Sequence, residues 1–368
     1  MANNVYIHIP FCKKICSYCD FCKVYYDKKF VIKYLDSLKR EIESKYQNEK
    51  IKTIYIGGGT PSVLDIGELE YLFSIISIFD LDKDYEFTVE CNFDSINFEK
   101  IDLFKKSGVN RISFGIETTD SLVLSKLNRD LDTNYVKKII NYAKEVGLDN
   151  INVDLMYGFS FSSFDNLKRD LDFILNLDIK HISTYSLIIS ENTKFFIENI
   201  KSIDEEEDLK MYNYIHTILT EHGYNHYEIS NFSKQGYESR HNLVYWNNLE
   251  YYGFGVSASS YLGDYRLTNT KSITKYINDF DNNIEKETLS IYDKMIYEMI
   301  LGLRLSVGVN TTSFYQKYHR RVDEAFSIGD LIGQNLLCFK DDRLYVPFDK
   351  WYVINSVLIN FLEVNENE

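Results

Sequence analysis

The first 190 residues predict an α/β fold built on a parallel sheet, and two observations carry that prediction. Short β-branched runs alternate with longer amphipathic runs between residues 5 and 187, giving six βα units in series. Serial units of this kind make parallel sheets with right-handed crossovers. Glycine, cysteine and acidic motifs also fall at or just past the ends of those runs, where α/β folds gather their functional groups.

Taken in order, the predicted strands are 5–9, 52–56, 86–90, 111–114, 151–156 and 181–186. Each is rich in Val, Ile, Tyr, Phe or Thr and too short to be a helix. Between them, helices are predicted over 29–46, 64–79, 98–107, 133–146 and 163–177. After residue 187 the regularity stops. A helix over 204–222 opens on Asp204-Glu205-Glu206-Glu207-Asp208, carboxylates that suit the positive end of the helix dipole. A strand follows over 224–229, then a polar and aromatic stretch at 230–248 and a Gly- and Ser-rich one at 252–267. Beyond residue 269 come helices at 272–280 and 289–305, two shorter ones within 311–337, a strand near 344–347 and a last helix over 351–362. Helices followed by a hairpin-like strand resemble a small winged-helix tail. The chain therefore divides into a core over 1–190, an extension over 191–270 and a helical tail over 271–368.

Composition narrows the function. A net charge of −14 argues against nucleic acid, whose affinity rests on Lys and Arg neutralising phosphates. Residues 307–368 are acidic too, so a partner or packing role fits the tail better than DNA. No apolar run approaches the ~18 residues needed to span a membrane, and the N-terminus has no basic segment or signal-peptide core. A cytoplasmic location is expected, where cysteines stay reduced.

The chemistry begins at His8-Ile9-Pro10-Phe11-Cys12-Lys13-Lys14-Ile15-Cys16-Ser17-Tyr18-Cys19. Three thiolates on one short loop can hold three irons of a [4Fe–4S] cluster and leave the fourth iron open. Cys22 would complete a set of four suited to tetrahedral zinc, although zinc ribbons usually draw ligands from two separated pairs. Downstream, the strand at 52–56 runs into Gly57-Gly58-Gly59-Thr60-Pro61, where glycines let a ligand approach the backbone.

The spacing C-x3-C-x2-C with an aromatic before the last Cys resembles the signature of the radical S-adenosylmethionine (SAM) enzymes, and the glycine motif strengthens the resemblance. That family implies an open (β/α)6 partial barrel, a cluster whose open iron takes the amino acid end of SAM, and reductive cleavage of SAM to a 5′-deoxyadenosyl radical. Within it the chain resembles the group that contains the oxygen-independent coproporphyrinogen III dehydrogenases and the heme chaperones of the HemW type. The motifs are Tyr6-Ile7-His8-Ile9-Pro10-Phe11-Cys12, Gly57–Pro61 (residues 57–61), Gly108-Val109-Asn110-Arg111-Ile112-Ser113-Phe114-Gly115 and Asn152-Val153-Asp154-Leu155-Met156-Tyr157-Gly158. Tyr227-Glu228-Ile229-Ser230-Asn231-Phe232, His241-Asn242-Leu243-Val244-Tyr245-Trp246 and Gly253-Phe254-Gly255-Val256-Ser257-Ala258 follow in register.

The resemblance implies roles residue by residue. Cys12, Cys16 and Cys19 hold the cluster. Tyr6 and Tyr18 border the SAM pocket. Gly58, Gly59 and Thr60 contact SAM, and Glu90 bonds its ribose or amine. Glu117, Arg129 and Asp154 line the adjacent SAM or substrate region. His241, in a run whose aromatics suit a porphyrin face, is the leading heme candidate, with His226 and His216 behind it. The same motif could instead tie a loop onto the barrel.

Three departures concern the second region. Glu117 stands where the family usually has Gln, Arg129-Asp130-Leu131 replaces Arg-x-His, and Phe159-Ser160-Phe161-Ser162 replaces Leu-Pro-x-Gln. The dehydrogenases also carry a Cys where this chain has Phe21, and an N-terminal extension ahead of the first strand. The resemblance thus favours the chaperones, with SAM, the cluster and heme as cofactors. It implies respiratory hemoproteins, membrane-associated ones among them, as clients, and a flavodoxin or ferredoxin as electron donor. Coproporphyrinogen dehydrogenase and radical SAM methyltransferase activities are the rival readings. Cys22 is expected to be a bystander, Cys91 a small buried residue and Cys338 an apolar residue of the tail.

Overall fold

A nine-stranded sheet organises the chain, and its strands alternate in character. The computed structural model describes residues 2–362; Met1 and residues 363–368, the end of the expected tail, lie outside the described residues. The first six strands are β1 (Asn4–Ile9), β2 (Ile51–Gly58), β3 (Leu81–Asn92), β4 (Arg111–Glu117), β5 (Ile151–Tyr157) and β6 (His181–Ser186). They pair in parallel in that order. Successive side chains of a strand face opposite sides. On β4, Ile112, Phe114 and Ile116 belong to the hydrophobic core, while Arg111, Ser113, Gly115 and Glu117 face the barrel interior and line its cavity. On β5, Ile151, Val153 and Leu155 join the core, and Asn152, Asp154 and Met156 line the cavity. The inner face of this parallel sheet is polar.

Helices α1 (Lys28–Lys45), α2 (Ile66–Ile76), α3 (Phe98–Lys106), α5 (Thr133–Glu145) and α6 (Phe164–Leu175) link consecutive strands, all within a residue or two of expectation except α2, which is shorter at both ends. Capping fixes their starts: Asp65 and Glu68 form a reciprocal box at α2, and Ser163 and Asn166 do so at α6. An unforeseen helix, α4 (Ser121–Leu127), follows β4, capped by Asp120 and ended by Asn128 in the left-handed conformation.

Both sheet edges differ from a plain six-strand expectation. Beyond β6, β7 (Asn225–Glu228) and β8 (Asn231–Ser233) add an antiparallel pair, with β8 next to β6. Beyond β1, β9 (Tyr252–Phe254) adds a seventh parallel strand, pairing Tyr6 with Gly253. This strand lies in the stretch read as merely Gly- and Ser-rich. Its glycine is required, because a Cβ at Gly253 would fall 1.9 Å from the Ser259 carbonyl oxygen. The fully buried carboxylate of Glu41 on α1 anchors this edge, accepting from Gly255 N (2.9 Å), Asn269 Nδ2 (2.8 Å), Tyr276 Oη (2.6 Å) and Lys45 Nζ (2.7 Å). A buried carboxylate is tolerable only when so completely bonded.

Helix α7 (Glu205–Glu221) begins at its Asp204 cap as expected, and α8 (Arg240–Trp246) carries the His241 motif. The tail holds helices Thr311–Tyr318, Val322–Ala325 and Gly329–Gly333, three where two were expected. They sit with a three-stranded antiparallel sheet of Val309–Asn310, Arg343–Tyr345 and Cys338–Lys340. The single terminal helix expected over 351–362 is instead a 3₁₀ turn, Phe348–Val353, a short α-helix, Ile354–Leu358, and a second 3₁₀ turn, Ile359–Phe361. Its many β-branched residues and Asn355 and Asn360 are poor helix formers, and packing of Trp351, Ile354, Val357 and Phe361 sets the path instead.

Candidate functional site

The cysteine loop leaves β1 at the C-terminal end of the sheet and is tied down along its length. Phe11–Cys12 pairs in parallel with Val24–Tyr25, closing its base. His8 bonds the Cys22 carbonyl through Nε2 at 2.8 Å, so that nitrogen carries the proton and Nδ1 accepts from Tyr6 Oη at 3.0 Å. Farther out, Ser17 N donates to the Leu127 carbonyl (3.0 Å) and Asn128 Nδ2 to that of Ile15 (2.9 Å), so α4 supports the loop. Lys23 bonds the Cys19 carbonyl, and Lys14 pairs with Asp130.

Cys12, Cys16 and Cys19 all line one cavity of about 440 Å³. Burial pushes the Cys12 thiol up to about 12 and raises those of Cys16 and Cys19, with Arg129 and Lys23 the cations that oppose it. Thr60 Oγ1 lies 3.8 Å from the Cys12 sulfur, and Arg129 Nη1 lies 3.6 Å from that of Cys16. Among the described residues no three His, Cys, Asp or Glu side chains are gathered to hold a single ion. Three thiols around one cavity instead suit a polynuclear cluster bound through separate irons. Cys22 turns the other way, donating to the Lys271 carbonyl at 3.3 Å and lining a separate cavity with Tyr6.

The glycine motif is sterically demanded. A Cβ on Gly57 would meet the Glu90 carboxylate at 2.8 Å, one on Gly58 the His8 ring at 2.5 Å, and one on Gly59 the Pro10 backbone at 2.7 Å. Gly58 also has φ +115°. The N–H groups are engaged within the chain: Gly58 N with Glu90 Oε2 (3.0 Å), Gly59 N with the Ile9 carbonyl (2.8 Å) and Thr60 N with that of Phe11 (2.8 Å). What the loop can offer a ligand is therefore carbonyl oxygen and the Thr60 hydroxyl.

Four further expected residues line the same cavity. Glu90 accepts from Tyr55 Oη (2.8 Å) and Gly58 N, and burial pushes its carboxyl up to about 7. Glu117, at φ +58°, pairs with Arg129 Nη2 (2.7 Å) and accepts from Tyr18 Oη (3.2 Å); burial raises it to about 7 against the pull of Arg129. Arg129 also donates to Asn92 Oδ1 (3.1 Å) and the Gly115 carbonyl (2.9 Å). The unusual acid at position 117 is thus matched by a guanidinium. Asp154 accepts from Asn152 Nδ2 (2.9 Å), and burial raises its carboxyl.

Two expected residues lie elsewhere. Tyr6 faces the second cavity and stacks on Tyr55 at 6.3 Å. His241 is 1% exposed at the N-terminal end of the barrel. Thr53 Oγ1 donates to Asn4 Oδ1 (3.1 Å), so His241 Nδ1 donates to Thr53 (2.8 Å) and Nε2 accepts from Tyr245 Oη (2.8 Å). Its lone pair is engaged within the chain, and burial lowers it to about 3. His241 thus lies outside the cavity that gathers the cysteines, and its motif plugs the barrel. Glu86 accepts the Arg240 and His241 N–H groups (3.0 and 2.9 Å) and so fixes the start of α8. His226 and His216 bond each other at 3.0 Å and stack on Phe232 and Phe348 at the junction with the tail.

The sequence reading missed Tyr55, Asn92, Arg111, Asn152 and Ser183, all of which line the cavity. Their signal was period-2 alternation of polar residues in strands that, for a parallel sheet, should be apolar on both faces.

A family model described as the Radical SAM superfamily matches residues 6–174. The heme chaperone HemW of Lactococcus lactis subsp. lactis (strain IL1403) is 38% identical, over 98% of this chain and 97% of its own length. HemW of Bacillus subtilis (strain 168) is 36% identical, over 98% and 99%. The chain belongs to the HemW family of radical SAM proteins. A [4Fe–4S] cluster and SAM come with that membership. The structure of the coproporphyrinogen III oxidase HemN from Escherichia coli, a radical SAM enzyme, superposes with a TM-score of 0.86 at 21% identity. It covers 97% of this chain and 89% of that one, so this chain and HemN share the fold. Among the described residues, no helix of this HemW-family chain is long and apolar enough to cross a membrane.

Proposed function

We propose that this protein is a heme chaperone, binding one [4Fe–4S] cluster, SAM and heme and delivering heme to hemoproteins. The single observation that carries the reading is similarity along 98% of the chain, at 38% and 36% identity, to relatives with that name. Phe21 supports it: at the position of the dehydrogenases' extra Cys, an exposed phenyl ring stands at the cavity mouth.

In this reading Cys12, Cys16 and Cys19 hold the cluster, and their buried thiols lose three protons as it loads. When bound, the cluster can pass an electron to SAM. Tyr18, Gly58, Gly59, Thr60, Glu90, Glu117, Arg129 and Asp154 form the SAM cavity, with Glu90 and the loop carbonyls facing the cationic amine. Tyr6 acts from behind, orienting His8 under the cysteine loop. The reading includes three units, 1–190, 191–270 and 271–368, a cytoplasmic setting, respiratory hemoproteins as clients and a flavodoxin or ferredoxin as donor. The fold shared with the oxidase makes coproporphyrinogen III dehydrogenase the second reading.

Anaerobically reconstituted protein separates the two. With reductant, SAM and coproporphyrinogen III it should yield no vinyl product, and with heme it should develop a Soret band and pass heme to an apo-hemoprotein. Vinyl product would overturn the chaperone reading, and so would failure to bind heme.

A further inference from the structure

We infer that Arg111 forms a carboxylate-binding site on the floor of the cavity, beneath the residues around the cysteine loop. Arg111 opens β4 and is 2% exposed, yet it lines the cavity. Among the described residues its guanidinium makes no hydrogen bond or ion pair, and its Nε is buried without a partner. A buried guanidinium normally finds a carboxylate or several carbonyls, because they replace the water it gives up on burial.

Four carboxylates line the same cavity, Asp20, Glu90, Glu117 and Asp154, and none hydrogen-bonds Arg111, although Glu90 and Asp154 are near enough to feel its charge. Glu90 is bonded to Tyr55 and Gly58, and Asp154 to Asn152. The other guanidinium of the cavity, Arg129, is engaged by Glu117, Asn92 and the Gly115 carbonyl. Arg111 is therefore the guanidinium of this cavity left to meet a ligand. In register it lies opposite Thr88, two residues before Ser113 and so one inward-facing layer deeper than Glu90, which pairs with Ser113. Thr88 itself keeps a buried hydroxyl without a partner. Asn242, carried by α8, reaches the same cavity. A planar fork with five donors matches a carboxylate bidentately. Two carboxylates answer this description under the proposed function, on which the inference rests: the methionine carboxylate of SAM and a propionate of heme.

The test compares acid and acid-free forms of each ligand on wild-type and variant reconstituted protein. Binding is measured by calorimetry for SAM and decarboxylated SAM, and by Soret titration for heme and heme dimethyl ester. The expected result is that Arg111→Gln shrinks the acid-over-neutral affinity ratio of one ligand by about tenfold or more, and that Arg111→Lys restores part of it. Loss of the ratio for SAM assigns the site to the methionine carboxylate, and loss for heme to a propionate. Unchanged ratios for both ligands overturn the inference. So does wild-type protein that binds the neutral forms as tightly as the acids, whether or not the variant folds. Wild-type protein that binds neither SAM nor heme overturns the proposed function as well, which keeps the two failures apart.

Discussion

The two ends of the barrel are built from the same residue types and treat them oppositely. At the N-terminal end, His241, Thr53, Asn4 and Tyr245 bond one another, His181 joins Asn152 (2.6 Å) to Tyr227 (2.8 Å), and Glu86 caps α8. Both nitrogens of His241 and of His181 have partners, so these two histidines are closed into the fold. At the C-terminal end, thiols and carboxylates face a cavity, and deeper in that cavity the Arg111 guanidinium keeps bonding capacity unused. Closed networks hold a fold in place, whereas groups without protein partners await a ligand. Histidine in a motif is therefore not evidence of ligation until its nitrogens have been followed.

The largest effect expected from breaking this comparison is at the open end. Replacing Cys12, Cys16 or Cys19 by Ala should abolish the cluster in iron analysis and visible absorption, while Cys22→Ala, whose thiol faces away, should keep it. Iron lost from Cys22→Ala would extend the site beyond the cavity.

Next comes the steric seam between the two ends. Gly58→Val would drive a side chain into the His8 ring and strain a positive φ. The cost should be about 1–3 kcal/mol in strain, with weakened SAM binding from a displaced loop. Calorimetric affinity equal to wild type would mean that the glycine motif does not shape the SAM site.

At the closed end, His241→Ala strands two hydroxyls and opens a cavity, so stability should fall by about 2–4 kcal/mol in denaturant melts. The heme spectrum should not change. A Soret band that shifts in this variant would return His241 to the ligand list and break the contrast.

The smallest effect is in acidity. Burial raises Glu90 from 4.5 to about 7, so its protonated form is favoured in the folded chain. That contribution is complete below pH 4.5 and is lost as the pH rises through about 7. Cluster-free Glu90→Gln should keep its melting temperature over this window while wild type loses a few degrees relative to it. Parallel curves would show that the carboxylate is solvated after all.

Much of this was legible in the sequence. β1 to β6 and five of the helices lie where β-branched and amphipathic runs placed them, and the cysteine loop and glycine motif converge as their order implied. What escaped depended on long-range pairing. Tyr252–Phe254 is too short and too glycine-rich to read as a strand, and only its partner β1 makes it one. The roles of His241 and Arg111 were equally hidden, since each is decided by what bonds it across the barrel. At position 117, where the family usually has Gln, only the fold shows that Arg129 meets the carboxylate at 2.7 Å.

The strand at the β1 edge has a consequence for synthesis. Among the strands of this sheet β1 is made first, and it emerges directly ahead of the cysteine loop. One of its edges stays unpaired until Tyr252–Phe254 has been made, after all the other strands of the sheet. An open edge beside three reduced thiols is prone to mispairing and aggregation while it waits. The nascent barrel must thus hold its inner strands together without its last edge, and the Glu41 anchor, which draws on residues 255, 269 and 276, can lock only then. Truncation before residue 252 should therefore leave a chain whose first strand and cysteine loop remain exposed.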